Sequence, residues 1–371
     1  MAVCRVLERR AGVTIAALTA RGGAPAIAKD DLAASFAQDY DDSASEAWLA
    51  LGGRRVRLRF ASSRTRHLLE SFAHLVTDEQ ESADLTICVW DSPRGASLTL
   101  PASDPQAPRG TRMVWADDQL RACYQPGQDT LSVLSADGTA AWFWCADARE
   151  LPYWEHAAPL RLILSWWLAA QGANLVHGAA VGRAEGGALI VGRGGSGKST
   201  TALLSLLGGL VYASDDYVVV ERDYRRHGPY IHSAFGSGKL DNAQCLRFPQ
   251  LAPAIVNPDR VGDEKAVFLV NRFAPEQMAT SMPLRAILVP RISGLPDTRV
   301  VPGSAMAALA ALAPSTIFQL PGEPGAELSA MAKLVRDVPV FVLQLGTDFA
   351  QIPRRIDELM RSLSSGVTED V

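Results

Sequence analysis

The eight residues Gly192-Arg193-Gly194-Gly195-Ser196-Gly197-Lys198-Ser199 hold the pattern G-x-x-x-x-G-K-[ST] at every fixed position. No other stretch constrains the fold as strongly. Glycines at this spacing let successive backbone N–H groups turn inward and cradle phosphate oxygens. Lys198 is then placed to reach β- and γ-phosphates, and the Ser199 hydroxyl to bind Mg²⁺. The flanks agree. Ala188-Leu189-Ile190-Val191 reads as a buried strand, and Thr200 to Leu207 reads as a helix whose positive end faces the anion. At average residue usage the four fixed positions recur by accident in roughly one chain of this length in a hundred. The strand before and the helix after reduce that rate further. Such a strand–loop–helix unit predicts an α/β core, with the nucleotide at the C-terminal strand ends.

Composition sets bounds on what such a core serves. With 371 residues, the chain is long enough for two or three domains. Its 48% hydrophobic and 20% charged residues describe an ordinary globular protein. A net charge of −4 lacks the basic field of a general nucleic-acid binder. No apolar run reaches the roughly 18 residues of a membrane span. Met1 to Arg10 lacks the apolar core of a signal peptide. Cys4, Cys88, Cys123, Cys145 and Cys245 are odd in number, scattered and without a C-x-x-C pair. They fit free thiols in a reducing cytoplasm.

The chain divides near residue 150. Residues 1 to about 45 are Ala-rich and without strong periodicity, so part of them is expected to be weakly ordered. Val56, Leu58 and Phe60 alternate with Arg55, Arg57 and Arg59, as in a half-exposed strand whose basic face is solvated or docks an acidic peptide. Further strands are expected at Leu85–Trp90, Met113–Trp115, Leu120–Tyr124, Thr130–Ser135 and Thr139–Cys145, giving a mixed α/β or mainly antiparallel module over 1–150. Pro159–Ala170 reads as a helix whose adjacent Trp166 and Trp167 pack on different neighbours. In 151–371, strands are expected at Leu175–Val181, Gly209–Ala213, Tyr217–Glu221, Ala266–Val270, Leu284–Val289 and Val340–Leu345. Helices are expected at Ser304–Leu312, Glu327–Val335 and Ile352–Leu363, followed by a frayed tail.

The Asp215-Asp216 pair follows an apolar strand, where Mg²⁺ and a γ-phosphate would sit. One carboxylate could hold Mg²⁺, and the other could orient or deprotonate an incoming hydroxyl. The competing reading is a solvated turn. His177, on the strand before the loop, reads on its own as a satisfied core histidine. Lys239, in Gly236-Ser237-Gly238-Lys239, reads as a second cation on a flexible loop able to close over the nucleotide, or as a plain surface lysine. Arg272, Arg285 and Arg291 rank behind it.

At these residues the chain resembles the catalytic domain of bacterial HPr kinase/phosphorylase, serine kinases with a phosphoenolpyruvate-carboxykinase-like P-loop core. His177-Gly178, Gly192 to Ser199 and Asp215-Asp216 stand in the family's order and at similar spacing. The likeness is good over about 172–225. Leu151 to Leu168, Ser233 to Leu240 and Leu343 to Asp348 look like the HPr-kinase-like group encoded with lasso-peptide and related peptide-modification clusters. The resemblance implies an ATP- and Mg²⁺-dependent kinase acting on a serine of a peptide or small protein. It places ATP on Gly192 to Thr200, Gly194, Gly195, Ser196 and Gly197 included, with Lys239 near the phosphates. Ser199 and Asp215 would hold Mg²⁺, Asp216 would be the base with His177 supporting the pair, and Lys198 would neutralise the β/γ-phosphates. The family's Arg-Gly-Leu-Gly segment is replaced by Gly236-Ser237-Gly238-Lys239, so the resemblance leaves HPr as substrate, phosphorolysis and the hexamer open. A homo-oligomer stays open. The residues also allow a small-molecule phosphotransferase or a non-catalytic nucleotide-binding regulator.

Overall fold

A computed structural model describes residues 27–93, 98–108, 110–223 and 228–365. The N-terminal stretch read for a signal peptide and the tail beyond residue 365 lie outside them. Contacts divide the chain into two compact units. One holds residues up to Glu70, Val76–Glu155 and Leu160–Trp167; the other holds Ser71–Leu75, His156–Pro159 and everything from Leu168.

The first unit is one eight-stranded mixed sheet with α1 (Lys29–Gln38) on it. Its strands are β1 (Ser45–Leu51), β2 (Arg54–Phe60), β3 (Val76–Thr77), β4 (Leu85–Asp91), β5 (Met113–Ala116), β6 (Leu120–Gln125), β7 (Thr130–Ser135) and β8 (Ala140–Cys145). They lie in the order β3-β1-β2-β4-β8-β7-β6-β5, parallel only at β2–β4 and β4–β8. Leu32 and Phe36 of α1 pack on Trp90, Tyr124, Leu131 and Trp144. The arginines of β2 are paired within the unit. Arg57 and Arg59 share Glu46 at 2.6 and 2.9 Å, and Arg55 meets Asp84 at 2.8 Å. Three arginines thus share two acids, so the basic face is partly neutralised within the unit. In α2 (Arg161–Ala170), Arg121 lies over Trp166, while Trp167 faces Gly138, so the two tryptophans do have different neighbours.

The second unit is a three-layer α/β/α body. Its nine-stranded sheet holds β9 (Ala173–His177), β10 (Ala179–Arg183), β11 (Gly186–Ile190), β12 (Val211–Ser214), β13 (Tyr217–Asp223), β14 (Gly228–Ser233), β17 (Ser281–Ile292), β18 (Arg299–Pro302) and β19 (Val340–Leu345). β15 (Ser237–Leu240) and β16 (Ala266–Leu269) form a separate pair. The strand order is β12-β10-β11-β17-β14-β13-β9, with β19 beside β17 and β18 beside β19. Only β11–β17 and β17–β19 are parallel. Alternation along the strands serves both faces. Ala188 and Ile190 lie under α3 (Lys198–Leu207) and α7 (Gln351–Ser364). Leu189 and Val191 lie under α5 (Ala305–Gln319) and α6 (Pro324–Asp337), while α4 (Asn242–Arg247) follows β15.

Two strands pass through one kink. β9 and β13 pair with His177 opposite Tyr217, and β10 and β12 pair with Ala180 opposite Ser214. The pairs that flank the break are in one register, which shifts by a residue beyond Ala180, so β9–β10 and β12–β13 form an antiparallel ribbon interrupted at Gly178 and Asp215-Asp216. The expected single strand Leu175–Val181 is therefore two strands broken at Gly178. A Cβ at Gly178 would come within 2.9 Å of the Ile190 carbonyl, the end of the strand that leads into the Gly192 loop. Across the break, the Gly178 N–H donates to Asp216 O at 3.0 Å.

Among the described residues, no helix is long and apolar enough to cross a membrane. Cys88, Cys123, Cys145 and Cys245 are all free.

Candidate functional site

The Gly192–Gly197 loop leaves β11 and ends at the first residue of α3. Gly197 caps that helix at φ +99, a left-handed conformation, and no side chain caps it. A Cβ there would stand 2.6 Å from Leu345 Cδ1, so both backbone and space call for glycine. The first N–H groups of α3 have no acceptor within the helix and face outward from a positive helix end. Beside them the Ser196 hydroxyl is buried and meets no hydrogen-bond partner among the described residues. A cradle of glycines, an uncapped helix end and an orphaned hydroxyl fit the oxygens of a phosphate.

Lys198 is buried and folds back on the loop, donating to Gly192 O at 2.6 Å and Arg193 O at 3.3 Å. Burial pushes its ammonium below the usual lysine range. The loop thus holds its cation in reserve on two neutral carbonyls. Ser199, one residue on, donates to Asp215 Oδ1 at 3.2 Å. Thr200 accepts from Gln244 Nε2 of α4 at 2.9 Å.

The acidic pair is a structured turn and not a solvated one. Asp215 is buried, and its Oδ1 also accepts the Asp216 N–H at 2.9 Å. Burial first, and then the neighbouring Asp216 charge, push its carboxyl up. Asp216 sits at φ +74, a conformation that aspartate tolerates better than most residues. That backbone turns its carboxylate between two partners. Oδ1 meets His177 Nε2 at 3.2 Å, and Oδ2 meets Lys239 Nζ at 2.5 Å. Burial alone would raise Asp216, but the Lys239 ammonium and the His177 hydrogen bond hold it well below the usual carboxylate range. Two adjacent aspartates are thereby driven in opposite directions.

Lys239 is placed differently from the flexible loop expected of Gly-Ser-Gly-Lys. It belongs to β15, opposite Val267 of β16. A Cβ at Gly238 would lie 2.3 Å from the Phe268 ring, so this glycine serves close packing and not mobility. A strand presents the ammonium to Asp216, with the lysine side chain only 12% exposed.

Three further residues support His177, and sequence reasoning missed them. The His177 N–H donates to Thr316 Oγ1 at 3.0 Å, and the Tyr217 ring lies 5.5 Å from the imidazole. Tyr217 Oη in turn donates to Gln319 Oε1 at 2.5 Å. Thr316 and Gln319 are one turn apart on α5, beyond Pro314, where the sequence pattern ends the helix early. No motif marks them. The side chains that meet the Asp216 carboxylate are His177 and Lys239.

For a metal, the fitting donors are the Ser199 hydroxyl and an Asp215 carboxylate oxygen. Both are hard oxygens, already within hydrogen-bond distance of each other. No group of three or more His, Cys, Asp or Glu side chains stands ready for a metal among the described residues. Mg²⁺ needs no such group, since it keeps waters and takes one or two protein oxygens plus substrate phosphates.

No family model and no curated protein matches the chain. Among solved structures it is similar to the HPr(Ser) kinase/phosphatase from Coxiella burnetii, at 11% identity and a TM-score of 0.28. The alignment covers 51% of this chain and 95% of that one.

Proposed function

We propose that the chain is an ATP- and Mg²⁺-dependent kinase that transfers the γ-phosphate to a serine hydroxyl of a peptide or small protein. The observation that carries this reading is Asp216, kept as a carboxylate between His177 and Lys239, one residue from the aspartate that holds Ser199 at the loop. Phosphoryl transfer is mostly positioning and charge stabilisation, and this constellation supplies both.

In the proposed reaction the loop N–H groups and Ser196 take the β-phosphate oxygens. Lys198 exchanges its two carbonyl partners for β/γ-oxygens, a stronger charge-assisted bond. Ser199 and Asp215 would hold Mg²⁺, which would neutralise charge on the phosphates. Asp216 accepts the hydrogen bond of the acceptor hydroxyl and takes its proton as the new oxygen–phosphorus bond forms and the bond to ADP breaks. Lys239 is near enough to follow the charge onto the transferring group. The serine acceptor, and a ribosomally made peptide precursor as its narrower form, rest on the motif resemblance.

The test is transfer of label from γ-labelled ATP with Mg²⁺ to a panel of serine peptides and small alcohols, with Asp216→Asn in parallel. Label on a peptide serine that is lost in the variant is the expected result. Label on small alcohols alone would make the chain a small-molecule phosphotransferase. Mg·ATP binding with equal, acceptor-independent turnover in both proteins would leave it a nucleotide-binding regulator.

A further inference from the structure

Away from the acidic pair, at the other end of α3, lies a cavity of about 580 Å³ that the reaction above does not use. Its size is that of an ordinary small-molecule site. The floor is apolar: Leu204 and Leu207 at the end of α3 with Leu210 just past it, and Phe349 just before α7 with Pro353 in its first turn. The two helices close to contact beneath it, since a Cβ at Gly208 would lie 2.5 Å from Pro353.

The rim is cationic. Arg183, Arg354 and Arg361 line it against one acid, Asp357. Both oxygens of that acid are taken, Oδ1 by Arg183 at 2.5 Å and Oδ2 by Arg361 at 2.9 Å. Each guanidinium carries five N–H donors, so these single contacts leave most of them available. Arg183 also approaches Glu185 at 3.6 Å. Arg354 meets no acid within ion-pair distance among the described residues. Arg247, outside the lining, stacks on the Phe349 ring, 4.9 Å from its centroid.

The placement of Arg354 runs against helix stability. It stands in the first turn of α7, which carries no acidic residue. A cation there opposes the helix dipole, where Asp or Glu would be favourable. The chain therefore adds positive charge at the positive end of a helix, beside an apolar hollow. Ala350, Arg354, Asp357 and Arg361 share one helix face over about 16 Å of rise. The negative end of α3, which would repel an anion, is covered by its own turn: Gly208 N–H donates to Leu204 O and Leu210 N–H to Ser205 O.

We propose that this cavity binds an amphipathic organic anion, its apolar body on the Leu–Phe–Pro floor and its carboxylate, sulfonate or phosphate on Arg354 and Arg361. The site is separate from the nucleotide loop and does not depend on the kinase reading. The probe is 8-anilinonaphthalene-1-sulfonate, an aromatic body with one anionic group, titrated by fluorescence into the full chain. Saturable binding is expected, displaced by decanoate but neither by decanol nor by Mg·ATP. Arg354→Glu, on the exposed side of α7, should weaken the probe at least about ten-fold, the loss of one charge-assisted contact. Arg354→Gln should fall between it and the native chain. The inference is overturned by unsaturable binding or an affinity indifferent to Arg354→Glu. Displacement by Mg·ATP, or by decanol as readily as by decanoate, overturns it equally.

Discussion

Replacing Lys239 by methionine tests the centre of the site in one step. The ammonium lies 2.5 Å from Asp216 Oδ2, with the two side chains 12% and 18% exposed. At that separation and an effective dielectric near 20, the Coulomb attraction is about 7 kcal/mol before desolvation. Desolvation cancels much of it in the intact pair. Removing one partner leaves a buried charge uncompensated, which costs about 3–5 kcal/mol. His177 remains as the other partner of Asp216, so the lower end is the better expectation. For a unit of this size that loss lowers Tm by roughly 6–20 °C. The assay is thermal and urea unfolding of the native chain, Lys239→Met, Asp216→Asn and the double variant. Because the double variant removes both charges, it should recover much of the stability lost by Lys239→Met. Strictly additive losses, or a Lys239→Met melting curve that overlays the native one, would refute the buried-pair reasoning. Transfer activity read on the same proteins should fall in both single variants, and should not return in the double variant even where stability does.

Other expectations follow from single contacts. Gly178→Ala should push the Ile190 carbonyl away and disturb the entry to the phosphate loop, given the 2.9 Å approach. Overpacking of this kind costs about 1–3 kcal/mol, and Mg·ATP binding should weaken with it; unchanged binding by calorimetry would show that the loop is independent of the kink. His74 donates or accepts at Ser233 Oγ, 2.6 Å away, and burial holds its imidazole down to about 4. The unfolded chain takes up a proton near pH 6.5 that the fold refuses until about pH 4. Stability from this group is thus full above pH 6.5 and falls as pH drops through that window, by at most about 3 kcal/mol. Urea unfolding at pH 7 and pH 4.5 should show a shallower decline in His74→Gln, and equal declines would remove His74 as the cause.

What the sequence made legible is what short-range pattern encodes. The loop, the strand before it, the helix after it and the Asp pair between two apolar runs all lie within a few residues of their own signals. What it hid depends on partners far away in the chain. Gly236-Ser237-Gly238-Lys239 has loop composition, yet β15 forms because β16 pairs with it and the Phe268 ring needs a glycine beneath it. α5 runs on to Gln319, through Pro314, because its buried Leu312, Ala313 and Thr316 pack against the unit. Only that continuation brings Thr316 and Gln319 to His177 and Tyr217. β1 was missed because its Ser-Glu-Ala-Trp-Leu-Ala-Leu run has neither strict alternation nor β-branched residues.

The opposite displacement of the two aspartates bears on their roles. A base is most effective when its proton affinity lies near the working pH, and Asp216, clamped by Lys239 and His177, is far below it. Taken alone, that would favour Asp215, which burial and its neighbour's charge raise. The geometry argues the other way. Asp215 spends one oxygen on Ser199 Oγ and the Asp216 N–H, which ties it to the loop, whereas the Asp216 carboxylate meets the His177 and Lys239 side chains. If Lys239 follows the developing charge toward a phosphate, Asp216 loses the largest single influence holding it down, and its proton affinity rises as the acceptor hydroxyl gives up its proton. A loose transition state asks for that late, partial proton transfer and for orientation before it. In the proposed reaction, the ion pair that stabilises the site would then keep Asp216 silent until a phosphate arrives.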